Sequence, residues 1–360
     1  MYSPKRIITG LTMRNAGTFL WRTSLLLSLL VAAVGCRGPV TTSAPLVVAG
    51  YTGTVQVARS DSDALGNAVT VIGRTMSDVT ALLDPQNAEG ELAKFNRVGG
   101  SVRLPVSRTL FRALDLARHY HELTGGIFDI TTGQLATLWE VGIPTEQVRL
   151  RALEKSGMKH IEISENGGVA LTLAGVAVSP GHYALAYALD MAMVERRKHG
   201  EAAVLATLPY FARRDGRFPI EQPPVVPIMA RGLSAHPLVG VVDLSHVASL
   251  AMVHSAASNP GAPIVMDPRN GLPATDNRLA VVIGPLTIKA YALAQALYIA
   301  GPDKGRELLD AFPDYEAMLI PEGQPLVLWM TRGFEAAFTP EPFYRGKSER
   351  WEARAATPTR

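Results

Sequence analysis

The sequence predicts an α+β fold in which mixed sheets pack with helices. Strand-like and helix-like segments follow one another without regular alternation, which disfavours a doubly wound parallel sheet. Helical segments carry clear end signals, the best being Ser107 before and Gly125 after a periodic apolar run. A 360-residue chain that is 47% hydrophobic and 19% charged has the composition of a globular protein, with core enough for one large domain or two small ones.

Residues 1–36 stand apart from that fold. Lys5, Arg6, Arg14 and Arg22 form a positive lead, and Thr23 to Gly35 is an apolar run too short to span a bilayer comfortably. It ends at Cys36, the only cysteine, in Ala33-Val34-Gly35-Cys36. That sequence is similar to a bacterial lipobox, so Cys36 is expected to carry lipid and 1–36 to be a lipoprotein signal peptide. Met13 offers an alternative start. A chain with one cysteine has no internal disulfide. Removing the four basic and no acidic residues of 1–36 takes the formal charge from +3 to −1. Residues 345–360 read as a basic tail, with five basic and two acidic side chains. The positive charge thus sits at the two ends, and no basic stripe predicts nucleic-acid binding. The expected location is the bacterial cell envelope, lipid-anchored on the periplasmic or exterior side. Membrane contact is expected through the N-terminal lipid, with an envelope protein as a partner.

Residues 37–50 are polar and contain proline, and read as a tether; 51–344 read as the folded domain. Within it, Thr54 to Ala58 alternates like a strand and Ala64 to Leu83 has helical spacing. Leu83-Asp84-Pro85 stops that helix, because the residue before proline avoids helical backbone. Ser107 to Thr124 is the clearest helix, followed by the Gly125-Gly126 turn, and Leu150 to Ser156 is a short one. Ile161 to Ile163 and Val169 to Leu173 frame a hairpin around Asn166-Gly167-Gly168. Gly181 to Gly200 is a helix, Ala202 to Thr207 a strand, and the proline- and charge-rich Arg213 to Pro227 a loop or edge. Leu238 to Leu244, Ser249 to His254 and Leu279 to Ile283 are strands. Thr287 to Ala300 is an apolar helix stopped by Gly301-Pro302, and Gly305 to Phe312 a further helix. Ala317 to Ile320 and Leu326 to Met330 complete the strands.

Three motifs carry a resemblance. Leu123 to Trp139 reads LTGGIFDITTGQLATLW, Met266 to Gly271 reads MDPRNG, and Glu91 to Asn96 reads ELAKFN. Together they resemble the FAD:protein FMN transferase family, the thiamine-biosynthesis lipoprotein family of older naming, over roughly Gly53 to Leu328. The resemblance implies that family's fold, FAD and magnesium as cofactors, and transfer of FMN to a threonine hydroxyl of a target protein. The dense charge of a pyrophosphate calls for a hard cation held by oxygen ligands. By the same resemblance, Glu91, Asn96, Phe128, Asp129, Asp267 and Asn270 are the expected cofactor-binding positions.

The metal positions depart from the family. A segment normally reading Asp-Leu-Gly-Gly-Ile-Ala-Lys-Gly-Tyr-Ala-x-Asp is here Ser179 to Asp190, SPGHYALAYALD. Ala184 keeps the place of a metal-facing carbonyl, Leu185 replaces the lysine and His182 a glycine. A second segment, normally Ala-Asp-Ala-Leu-Ala-Thr-Ala-Leu, is here Ala290 to Leu297, with Tyr291 for the carboxylate ligand and Gln295 for the threonine ligand. These two share one helix face, yet a neutral tyrosine is a poor magnesium ligand. The family's Ser-His-x-x-Asp-Pro-x-Thr-Gly is here Pro263 to Gly271, retaining Asp267, Pro268 and Gly271 and losing the histidine. The family's Thr-Ser-Gly turn falls near Val253-His254-Ser255, and its Asn-Leu-Gly-Gly-Asp strand end near Leu205 to Pro209.

Joint loss of a lysine, a histidine, a carboxylate and several glycines predicts impaired FAD and magnesium binding. The expected protein is a degenerate member, catalytically impaired, with a binding or scaffolding role. An active transferase with a reorganised site is the alternative, as is a binding protein for a less charged molecule, since Leu185, Ile264 and Val253 make the old phosphate end more apolar. His119 and His121 face different sides of a helix and share no metal. Metalloprotease, serine-hydrolase and P-loop motifs are absent. His182 and His254 sit at altered site positions and read as filler or, alternatively, as a replacement site; Trp139 reads as a core aromatic, and Met229, Met252 and Met266 as core.

Overall fold

The computed structural model describes residues 41–58, 62–98, 102–164, 168–200, 202–230, 236–254 and 264–351. Signal-peptide residues 1–36, with Cys36, lie outside them, as does most of the 166–168 turn.

The chain opens with an antiparallel hairpin, β1 (Thr42–Val48) and β2 (Tyr51–Val57), followed by α1 (Ser62–Leu83). Next come α2 (Glu91–Val98), β3 (Leu104–Pro105), α3 (Arg108–Leu123), α4 (Gly133–Val141) and α5 (Glu146–Glu154). Strands β4 (Ile161–Ile163) and β5 (Gly168–Leu171) pair with β3 in a small sheet of order β3-β5-β4. Helix α6 (His182–Arg197) leads to β6 (Val204–Leu208), β7 (Phe211–Asp215), β8 (Val225–Met229), β9 (Leu238–Asp243) and β10 (Ser249–His254). The short hairpin β11 (Met266–Asp267) and β12 (Leu272–Pro273) precedes β13 (Asn277–Gly284) and α7 (Thr287–Leu309). Then follow β14 (Glu316–Pro321), β15 (Leu328–Met330), α8 (Arg332–Ala337), β16 (Phe338–Pro340) and β17 (Ser348–Arg350).

Nine strands form the main sheet, in the order β1-β2-β6-β7-β10-β13-β14-β15-β17. Its central strands are buried on both faces, and their side chains divide by the period-2 rule. Ala251, Val253, Ala280, Val282, Ala317 and Leu319 join the core under the helices. Leu250, Met252, Leu279, Val281, Ile283, Met318 and Ile320 join a second core under the three-stranded sheet β16-β9-β8. The result is three layers: helices, large sheet, small sheet. Helix α1 packs on α6, and α6 on α7. Among the described residues, no helix is long and apolar enough to cross a membrane.

The α+β class predicted from the sequence is the class observed, and most elements fall where expected. The predicted stop at Gly301 is present: Gly301, φ 72°, is non-helical and divides α7 into two helical segments, as the sequence signals.

Four readings change. The expected tether over 37–50 contains β1, whose Leu46 and Val48 are buried while the intervening Val47 is exposed; its proline and small residues hide that alternation. The expected basic tail over 345–360 contains β17, which pairs in parallel with β15. Trp351 is buried beyond it, its indole N–H donating to the Pro302 carbonyl at 2.7 Å. The expected loop or edge over 213–227 holds for 216–227, which run into β8 at the edge of its sheet, but 213–215 belong to β7, an interior strand whose charged Arg213 is buried. Helices α2 and α4 were not signalled by periodicity, being only eight and nine residues long.

Candidate functional site

The end of α1, the start of α4, the segment 179–185 entering α6, the residues before β11 and one face of α7 converge on a cavity of about 940 Å³. Close approach is built in at Gly133, where any Cβ would lie 2.2 Å from that of Ser179. Only glycine lets α4 sit against the 179–185 segment.

Three lining residues, Tyr51, His182 and Tyr291, belong to a cluster of rings that continues behind the wall to Tyr210 and Phe211. The Tyr51 hydroxyl lies 2.8 Å from His182 Nε2. The Tyr210 ring is tilted over His182 with centroids 4.3 Å apart, and Phe211 stands edge-on to Tyr291 at 5.6 Å. Burial, with a smaller contribution from His254, pushes His182 down to about 4, so its imidazole is neutral at physiological pH. Burial likewise pushes the phenols of Tyr51 and Tyr291 up.

The three positions tied to the metal come together: Ala184, Tyr291 and Gln295 all line this cavity. Of the six expected cofactor positions, only Asp129 does so. Its carboxylate already accepts hydrogen bonds from the Thr131 amide and hydroxyl at 2.7 and 2.6 Å and from the Met158 amide at 3.1 Å. Phe128 is fully buried against Tyr183, with ring centroids 5.3 Å apart. Glu91 accepts from both the amide and the hydroxyl of Ser107, each at 2.5 Å, and so holds the N-terminus of α3. Asn96 brackets Val178, donating to its carbonyl at 2.8 Å and accepting from its amide at 2.9 Å. Asp267 accepts from the Arg269 backbone and guanidinium and from Asn270. Burial opposes ionisation of Asp267, but the bonds from Arg269 outweigh it and hold the carboxyl below its ordinary value. In the described geometry these side chains are engaged with other residues of the fold.

Several assignments differ from the sequence reading. His182 is a hydrogen-bonded cavity wall rather than filler; Met266 is buried as expected, and also lines the cavity beside Ile264. Val253 lies in the core under the helices and not at the cavity. Met229 is exposed, and Trp139 is half-buried with its indole N–H donating to the Gly271 carbonyl at 3.2 Å. Tyr51 and the last turn of α1, including Thr80, were missed. Leu83-Asp84-Pro85 marked where α1 ends, but nothing local in the sequence says that this end faces a cavity.

Asp190 joins the two altered segments. From α6 its carboxylate accepts from the Thr287 and Ile288 amides at 3.1 and 2.9 Å, the free donors at the start of α7. Arg213 lies 3.3 Å from it. Burial pushes the Asp190 carboxyl up, against the pull of Arg213 and the two amides. The carboxylate thus fixes how the helix bearing Tyr291 and Gln295 meets the helix bearing Ala184.

A family model described as the ApbE family matches residues 49–319. The chain belongs to the ApbE family. It is similar to the FAD:protein FMN transferase of Treponema pallidum, 27% identical over 277 residues, covering 66% of this chain and 73% of that one. The FAD:protein FMN transferase of Salmonella typhimurium is 24% identical over 269 residues, covering 71% and 77%. The flavinyl transferase ApbE of Pseudomonas stutzeri, apo form, superimposes with a TM-score of 0.70 at 21% identity over 84% of this chain and 97% of that one. The flavin transferase ApbE of Vibrio cholerae gives 0.72 at 18% identity, over 82% and 99%. At those identities the structures establish the ApbE fold.

The residues present do not fit a metal-bridged pyrophosphate. Tyrosine and glutamine at the ligand positions supply no anionic oxygen for a hard cation. Among the described residues no group of three or more His, Cys, Asp or Glu is placed to hold a metal. Among the described residues the cavity lining contains no lysine or arginine, while Asp84, Asp129 and Glu140 are acidic. A phosphate there would meet no cationic side chain among the described lining residues.

Proposed function

We propose that this ApbE family member has given up metal-dependent transfer of FMN from FAD and serves as a binding or scaffolding protein at the bacterial cell envelope. One observation carries the reading: Tyr291 and Gln295 stand together in the cavity at the places where the family resemblance puts a carboxylate and a threonine metal ligand. Leu185, at the place of the family's lysine, lines the same cavity, so the positive charge that would meet phosphate is also gone. Phosphoryl-group transfer needs charge stabilisation at the breaking bond, and these positions supply none. The envelope location and a protein partner there rest on the lipobox-like Ala33 to Cys36, with lipid on Cys36 as the anchor.

The test is a transfer assay on the purified chain with FAD, magnesium and a threonine-bearing target peptide. No flavinylated peptide is expected. Flavinylation above the level without protein would contradict the proposal.

A further inference from the structure

From the cavity walls we infer that the site takes uncharged or cationic ring-bearing organic molecules and excludes their phosphorylated forms. The inference deepens the preceding proposal and rests on it. A cavity of about 940 Å³ is at the upper end of ordinary small-molecule sites. Its polar equipment is specific. The Tyr291 side chain is only 7% exposed and lines the cavity, and its hydroxyl has no hydrogen-bond partner among the described residues. That hydroxyl is not sealed off, because it is absent from the fully occluded polar atoms, so it is reachable from the cavity. A cavity-facing hydroxyl without a protein partner offers a ligand both a donor and an acceptor. Four residues on along α7, the half-buried carboxamide of Gln295 also has no partner among the described residues and offers both a donor and an acceptor.

Charge sets the class. Asp84 and Glu140 are exposed lining residues and Asp129 is buried in the wall, with no cation among the described lining residues to balance them. Unlike charges attract and like charges repel most where water is scarce. A cation or an uncharged ring is therefore favoured over a phosphate ester of the same ring.

The experiment is a charge series on three-ring probes: proflavine as the cation, riboflavin as the uncharged molecule, and FMN as the phosphate ester. Binding to the full chain is followed by fluorescence. Riboflavin and proflavine should bind, with FMN weaker than riboflavin by at least about tenfold. Gln295→Lys, and independently Leu185→Lys, should shift the preference toward FMN; the half-exposed Gln295 keeps the test available if the buried Leu185 variant does not fold. FMN binding as tightly as riboflavin, or no binding of either riboflavin or proflavine, overturns the inference. FAD with magnesium is titrated in parallel. Tight magnesium-dependent FAD binding defeats the loss-of-transfer reading itself, whereas failure of riboflavin and proflavine leaves that reading standing.

Discussion

The hydroxyl of Tyr51 stands 2.8 Å from Nε2 of His182, joining the first hairpin to the start of α6 at the cavity wall. Tyr51 is the first residue of β2, and His182 the first of α6. The pair therefore fixes one corner of the cavity, and it does so with an uncharged imidazole.

That neutrality makes stability depend on pH. His182 falls from an ordinary value near 6.5 to about 4 on folding. Between those values the unfolded chain takes up a proton at this residue and the folded chain does not. Stability therefore rises with pH across that window and is lost on acidification, by about 3 kcal/mol at the low end. Urea unfolding of the wild type and His182→Gln near pH 7 and near pH 4.5 should show a smaller acid loss in the variant. Equal losses would contradict the assignment.

Asp190 anchors α7 through two amides and faces buried Arg213. Asp190→Ala should destabilise the protein by about 3–5 kcal/mol, because it leaves a buried guanidinium without its partner as well as an uncapped helix. Asp190→Asn should lose less. Denaturant midpoints check both, and an Ala variant within about 1 kcal/mol of wild type would refute the anchoring role.

Glu91 is committed to Ser107 at the start of α3. Glu91→Ala should cost about 1–2 kcal/mol of stability and leave riboflavin affinity unchanged. A loss of affinity without loss of stability, read by fluorescence titration and urea unfolding, would instead place Glu91 in the binding site.

Gly133→Ala places a methyl 2.2 Å from the Ser179 side chain. The α4 wall must shift, at a cost of about 1–3 kcal/mol, and riboflavin binding should weaken with it. Unchanged stability and binding would show that this wall yields freely.

Much of the fold was legible because its signals are local. Ser107 does cap α3, its hydroxyl accepting from the Leu110 amide at 3.2 Å, and the apolar run at 249–254 is β10. The strand β7 was hidden because Arg213 and Arg214 look solvent-exposed in a sequence, whereas Arg213 lies inside beside Asp190. The cavity was half legible. Motif position alone brought Ala184, Tyr291 and Gln295 to one place, but which retained polar residues face the cavity depends on partners far along the chain. Asn96 and Val178, for example, are 82 residues apart, and no local pattern announces their pairing.

The central claim is that the altered positions no longer support metal-bridged FAD. Calorimetric titration of FAD into the purified chain, with and without magnesium, tests it most directly. The account predicts no tight binding and no magnesium dependence. Tight binding that appears only with magnesium would show that Tyr291, Gln295 and their neighbours still form a working cofactor site, and would contradict it.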